Sequence, residues 1–458
     1  MVVSPSSAIA DLPDLLIRQA RICHPDDRLA VGDVLVQGGV ITAVESHIDR
    51  DRLGDGGREI DGTGLTLLPG AIDPQVHFRE PGLEYKEDLQ TASYACAQGG
   101  ITSFLEMPNT KPLTVTQGDM TAKLALAASK CVVNYGFFIG ATSECLPDLL
   151  TTTPTCGIKI FMGSMKGPLL VDEEPVLDRL FAMGQTPDSG PGRLIAVHAE
   201  NQERIQERRK EFAGISDPAI HSVIQDNQAA LEATQLALKL SKKYHRRLHI
   251  LHMSTAEEAE LMRRDKPAWV TCEVTPQHLL LNTDAYAKIG TLAQMNPPLR
   301  SPHDNEVLWQ ALLDGVIDFI ATDHAPHTLE EKAKPYPESP SGMPGVETSL
   351  PLMLTQAIAG RCTVQQVARW MSANVAKFFG IPRKGAIAPG FDGDLVLVDL
   401  DTYRPVSRDR LLSKCGWSPF EGWELTGWPV VTIVGGQVVY ENGRVNGQVR
   451  GRPLSFEA

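Results

Sequence analysis

Both ends of the chain are built from short apolar runs broken by Gly, Asp and Asn, whereas the middle follows a different rhythm. Between Leu15 and Leu68, segments such as "GDVLVQGGVITAVES" and "EIDGTGLTLL" predict antiparallel strands joined by tight turns. The same texture returns between Gly393 and Val445, where "GDLVLVDLD" and "VVTIVGGQVVYENGRV" alternate apolar and polar residues around Gly and Asn-Gly turns. Two ends of like texture predict one small composite β-sandwich, formed by residues 1–68 and 385–458, with residues 69–384 inserted between them.

In the inserted stretch a short apolar segment is followed by a polar loop, then by a helix-like stretch such as "DNQAALEATQLALKLSKKY", with apolar residues at spacings of three and four. Eight segments read as strands: "LLPGAIDPQVH", "ITSFLEMP", "VVNYGFFIG", "GIKIFMG", "RLIAVHAE", "RLHILHMS", "WVTCEVTP" and "DFIATDHAP". Eight strands alternating with helices predict an α/β fold of the (β/α)8 barrel type, in which active-site groups collect at the C-terminal ends of the strands. The rival is an open doubly wound sheet, but no GxGxxG turn follows the first strand.

Composition narrows the partners. A formal net charge of -13 argues against a broad nucleic-acid or anionic-membrane surface and favours a small substrate. The start "MVVSPSSAIADLPDLL" lacks the basic and apolar regions of a secretory signal, and no apolar run approaches the roughly 20 residues of a membrane span, so the expected compartment is the cytoplasm. The eight cysteines form no CxxC pair and are expected to be reduced and mostly buried.

Candidate chemistry lies at the strand ends. His77, His198, His252 and Asp323 end the first, fifth, sixth and eighth strands, and Lys159 lies in the fourth. Each residue alone has a structural explanation, but in a barrel they converge on one mouth with the mixed nitrogen and oxygen set that suits zinc. Lysine ammonium cannot ligate a metal. Burial beside a cation lowers its pKa, and the free amine can then add carbon dioxide to become an anionic carbamate. The alternative is an ammonium that reaches solvent or pairs with a carboxylate such as Glu106.

The motifs "DPQVHFREPG", "EMPNTKP", "GIKIFMG", "AVHAEN", "LHMSTAEEAEL", "CEVTPQHLLL", "MNPPLRSPHDNEVL", "ATDHAPH", "GMPGVETSLPLML" and "SPFEGWELTG" occur in the order and spacing seen in dihydroorotases of the amidohydrolase superfamily, which the chain resembles from about Leu15 to Val445. The resemblance implies metal ligation by His77, carbamylated Lys159, His198, His252 and Asp323, with one or two zinc ions. It also implies a carboxylate-binding pair, Arg79 and Asn109, and substrate contacts from Asn296 and His327. A guanidinium with an amide donor is chemically apt for holding a carboxylate. The activity implied is reversible hydrolysis of the cyclic amide of (S)-dihydroorotate to N-carbamoyl-L-aspartate, a step of pyrimidine biosynthesis. A metal-bound hydroxide would be the nucleophile, and Asp323 the general base and then acid. Implied partners are the small-molecule substrate, a second copy in a homodimer, and aspartate transcarbamoylase.

Two other readings stay open at the level of sequence: an allantoinase or hydantoinase acting on another cyclic ureide, and a non-catalytic scaffold partner of aspartate transcarbamoylase. Gln75 bears on the second, because it stands two residues before His77 where an imidazole is expected. Its amide oxygen makes it a weak ligand, or else it turns into a surrounding hydrogen-bond network. His324 and His249 are expected to face away from their neighbours Asp323 and His252, Gln277 and His278 to lie in a supporting or structural layer, and His221 is assigned no role. The loop "KPYPESPSGMPG" is expected either to cover the site or to be an ordered excursion.

Overall fold

The computed structural model describes residues 13–144, 147–185 and 192–457. Its centre is a ring of parallel strands: Ala71–Val76, Ile101–Glu106, Asn134–Phe137 continuing as Ile139–Gly140, Ile158–Phe161, Ile195–His198, Leu248–Ile250, Val270–Val274 and Phe319–Ile320. The last strand meets the first through a parallel bridge between Val76 and His324, and the His77 N–H donates to the His324 carbonyl at 2.8 Å. Just inside this seam, Asp73 accepts the Thr322 N–H at 3.1 Å and the Thr322 hydroxyl at 2.5 Å. The sheet is therefore a closed (β/α)8 barrel, and the open doubly wound alternative does not apply.

Barrel strands have both faces covered, which is why they read as near-continuous apolar runs. Every residue of Ala71–Val76 and Ile101–Glu106 is buried. The outer helices begin at side-chain caps: Asp88 accepts from the Thr91 N–H ahead of Leu89–Gln98, and Asp226 from the Ala229 N–H ahead of Asn227–Tyr244. The second of these buries Ala230, Ala233, Ala237 and Leu240 along one stripe, the spacing visible in its sequence.

Strands from both chain ends share one sheet. Leu395–Pro405 lies antiparallel to Thr66–Pro69, which in turn runs beside Leu15–Cys23. A core of Leu15, Ile17, Val34, Ile41, Leu397 and Ile433 joins the two contributions. The sequence expectation for 385–458 needs one amendment. After Arg444–Val445 the chain leaves the sheet: Tyr135 donates to the Arg452 carbonyl, Leu454 donates to Tyr135, and Leu454 packs with Leu105, Phe138 and Phe379. These last residues belong to the barrel because they bury apolar surface there.

Seven cysteines are free and buried, and Cys145 lies outside the described residues. Among the described residues, no helix is long and apolar enough to cross a membrane.

Candidate active site

The C-terminal mouth of the barrel gathers the strand-end residues into two pairs. On one side the His77 Nε2 lies 3.1 Å from Asp323 Oδ1, and the Gln75 amide donates to the same oxygen at 3.0 Å. His77 Nδ1 lies 2.7 Å from Asn109 Oδ1, so acceptor oxygens flank both ring nitrogens and a neutral imidazole has a proton for only one of them. On the other side His198 Nδ1 faces His252 Nε2 at 2.9 Å. Glu200 sets that orientation by accepting the His198 Nε2–H at 2.7 Å, along with the Ser164 hydroxyl at 2.6 Å and the Gln225 amide at 3.0 Å. Burial alone would raise the Glu200 carboxyl, but its hydrogen bond to His198, the Arg300 charge and the Ser164 hydroxyl bring it down to about 2.

Lys159 is fully buried in the barrel interior and its Nζ has no hydrogen-bond partner. Burial lowers its pKa to about 7, against the opposing pull of Asp323 and Glu273. Glu106 is not its counter-ion: that carboxylate pairs with Lys123 at 2.9 Å. Glu273 lies beneath the mouth on Val270–Val274. It accepts from His249 Nε2 at 3.0 Å, its Oε1 lacks a partner, and burial raises its pKa well above the ordinary carboxylate value.

Three residues of the site hold left-handed backbone without being glycine: Arg79 at φ 67°, His252 at φ 36° and Asp323 at φ 46°. Such conformations cost about 1–3 kcal/mol each and persist where surrounding structure over-determines them. Here they turn the chain just beyond the strands. His252 and Asp323 lie two and three residues past Ile250 and Ile320, so the strict alternation of a strand no longer decides where they point.

Arg79 and His327 lie together beside this mouth. Arg79 Nε donates to the Pro326 carbonyl at 3.0 Å, and one terminal nitrogen is 3.2 Å from His327 Nε2. Asn109 is engaged through its oxygen by His77, which leaves its amide N–H groups as donors. Asn296 is held through its oxygen by His221 Nε2 at 2.8 Å. His221 is thus a buried support that the sequence reading left without a role; its helical turn Ile220–Ile224 sits in a polar stretch that hid its inward face. His324 faces away from the site, accepting the Gly345 N–H, and Gln277 donates to the Thr322 carbonyl. The Pro-rich loop is an ordered wall: Lys332 donates to the carbonyls of Gln294, Pro340 and Gly342, and Ser341 O lies 3.0 Å from His327 Nε2.

Among the described residues, no three His, Cys, Asp or Glu side chains form one group that could hold a metal. The donors stand instead as the pairs His77–Asp323 and His198–His252, with the unpartnered Lys159 amine also in the interior. Two acceptor oxygens flank a His77 ring that, when neutral, has one proton to give, and a cation between Nε2 and Asp323 would relieve that mismatch. Together with the unpartnered atoms of Lys159, Gln75 and His252, it makes the site chemically suited to metal binding.

Residues 66–439 match the family described as "Amidohydrolase family". The chain is 35% identical over 447 residues to a dihydroorotase of Methanosarcina acetivorans, covering 95% of this chain and 94% of that protein. It is 37% identical over 417 residues to a dihydroorotase of Halobacterium salinarum, covering 91% and 95%. Its fold superposes on the L-hydantoinase of Arthrobacter aurescens with a TM-score of 0.90 at 32% identity, covering 97% of this chain and 100% of that one. With its closed barrel, composite β domain and strand-end site, the chain belongs to the amidohydrolase family, among the dihydroorotases.

Proposed function

We propose that this protein is a zinc-dependent dihydroorotase that hydrolyses the ring amide of (S)-dihydroorotate and closes N-carbamoyl-L-aspartate in reverse. The observation that carries this reading is the adjacency of two groups of side chains: the donor pairs with Lys159 at the strand ends, and Arg79 with Asn109 and His327 beside them. The first suits opening of an amide, the second a substrate that bears a carboxylate.

His77 and Asp323 would hold one zinc ion and His198 and His252 another. Lys159, whose free amine can add carbon dioxide and release a proton, would contribute an anionic carbamate to the same site. Bound zinc supplies Lewis acidity, lowering the pKa of water and polarising a carbonyl oxygen. The work of the chain's own residues follows from position. Arg79 and the Asn109 amide bind the substrate carboxylate and orient the ring, with Asn296 and His327 completing the contacts. Asp323 accepts the proton of the attacking water as the new C–O bond forms, and returns it to the ring nitrogen as the C–N bond breaks. Gln75 and His77 both touch the Asp323 oxygen and fix its direction. Glu200 holds His198 in the tautomer whose Nδ1 faces inward.

The structural likeness to hydantoinases favours a second reading, hydrolysis of another cyclic ureide. Incubating the zinc-loaded protein separately with dihydroorotate, hydantoin and allantoin, with metal analysis of the same sample, decides between them. Opening of dihydroorotate is expected. Opening of hydantoin or allantoin alone would replace this reading, and a metal-free protein inert to all three would point to the scaffold role.

A further inference from the structure

His327 has two incompatible sets of neighbours. In one, its Nδ1 accepts from the Lys86 ammonium at 2.9 Å and its Nε2–H donates to the Ser341 carbonyl at 3.0 Å. In the other, its Nδ1–H points to a Glu331 oxygen at 3.6 Å and its Nε2 accepts from Arg79 at 3.2 Å. A neutral imidazole carries one proton and can satisfy only one set. Double protonation is disfavoured, because burial and the Arg79 charge lower the His327 pKa to about 3.

Lys86 tips the balance. It lies 2.9 Å from both His327 Nδ1 and Glu331; an ammonium has N–H groups and no acceptor, so it can only donate to Nδ1, which requires the proton on Nε2. Glu331 stands 3.6 Å from Nδ1, beyond hydrogen-bond reach, whereas Lys86 is at 2.9 Å, so the carboxylate competes poorly for a proton on Nδ1. The consequence reaches Arg79. With Nε2 protonated, the Arg79 arm 3.2 Å away faces another donor and has no bond to make there; with Nε2 bare, His327 would occupy that arm.

We propose that Lys86 is a positioning residue that holds His327 as its Nε2–H tautomer, donating to the Ser341 carbonyl, so that Nε2 does not accept from Arg79 and that guanidinium arm stays available to the substrate carboxylate. The inference rests on the reading of Arg79 as the carboxylate-binding residue, and it assigns a role to a lysine that no sequence motif marked.

The test uses full-length protein labelled with 15N-histidine, with the His327 resonance assigned through His327→Gln. Wild-type protein without substrate should show a protonated Nε2 and a bare Nδ1. Lys86→Met should shift the ring toward Nδ1–H and raise KM for dihydroorotate by about 10-fold or more, with kcat changed by less than about 3-fold. Glu331→Gln removes the carboxylate charge that competes for a proton on Nδ1 and leaves the Lys86 side chain in place, so the wild-type tautomer should persist. Three results would each overturn the proposal: Nδ1–H in the wild type, an unchanged tautomer in Lys86→Met, or Glu331→Gln reproducing the Lys86→Met shift. The first needs no variant to fold. Absence of dihydroorotate turnover would sink the assigned reaction while leaving the tautomer measurement to stand or fall by itself.

Discussion

One Asp323 oxygen meets Gln75 and His77 together, and the proposed mechanism makes this carboxylate both a ligand and the proton carrier. Asp323→Asn keeps the shape and removes the base, and kcat for dihydroorotate should fall by about 10²–10⁴-fold. Steady-state kinetics beside a circular-dichroism check of folding would read this. Gln75 presents its amide nitrogen to Asp323 and leaves its oxygen without a partner. Gln75→His should therefore raise metal affinity on the His77 side. Titration of metal-stripped protein with zinc, followed by calorimetry, would show the added affinity; an unchanged isotherm would remove Gln75 from that half of the site. At this scale the sequence revealed residues whose chemistry is rare at strand ends: His77, Lys159, His198, His252 and Asp323. It did not reveal Glu273, Glu200, His221 or Lys86. A carboxylate within a buried parallel strand leaves no alternating signature because both faces are covered, and a support is defined by a neighbour far away in sequence.

The strands and helices themselves were legible, because apolar runs of four to eight residues and helical stripes of spacing three and four are local patterns. Less legible was how the chain leaves each strand. The left-handed turns at Arg79, His252 and Asp323, and the wall formed by the Pro-rich loop, depend on contacts with other elements. Gly342 shows the constraint most sharply. Its φ is 142°, and a Cβ there would lie 2.4 Å from the Ala325 carbonyl and 3.0 Å from the His327 ring. Gly342→Ala should push the loop away from His327 and raise KM for dihydroorotate by about 10-fold, with a cost in stability of about 1–3 kcal/mol. Substrate-dependence curves and urea melts of the purified variant check the two effects separately.

Across the whole molecule, the barrel and the β domain meet through Glu347. Its carboxylate accepts the backbone N–H groups of Leu412 and Ser413 and the Gln98 amide, and burial raises its pKa to about 7 from an ordinary 4.5. Between those two values the folded state keeps a proton that the unfolded state has released, so this group makes stability fall as pH rises from about 4.5 to about 7. The loss from this one group is on the order of 3 kcal/mol. Glu347→Gln keeps an acceptor and cannot ionise, so its urea midpoint should fall less than that of the wild type over the same pH range. Parallel midpoints for the two proteins would mean that Glu347 is not the titrating group.

The sequence by itself determined the barrel, the composite β domain and which candidate residues stand at the strand ends, because hydrophobic period, turn residues and the placing of rare side chains are all properties of neighbours along the chain. Tertiary structure alone decided that the final residues return to the barrel, that Asp323 is shared by Gln75 and His77, and that Lys86 and Arg79 compete over one imidazole ring. Those facts arise where segments 248 residues apart close the barrel at Val76 and His324, and a proton or a hydrogen bond is allotted only once its rivals stand within reach.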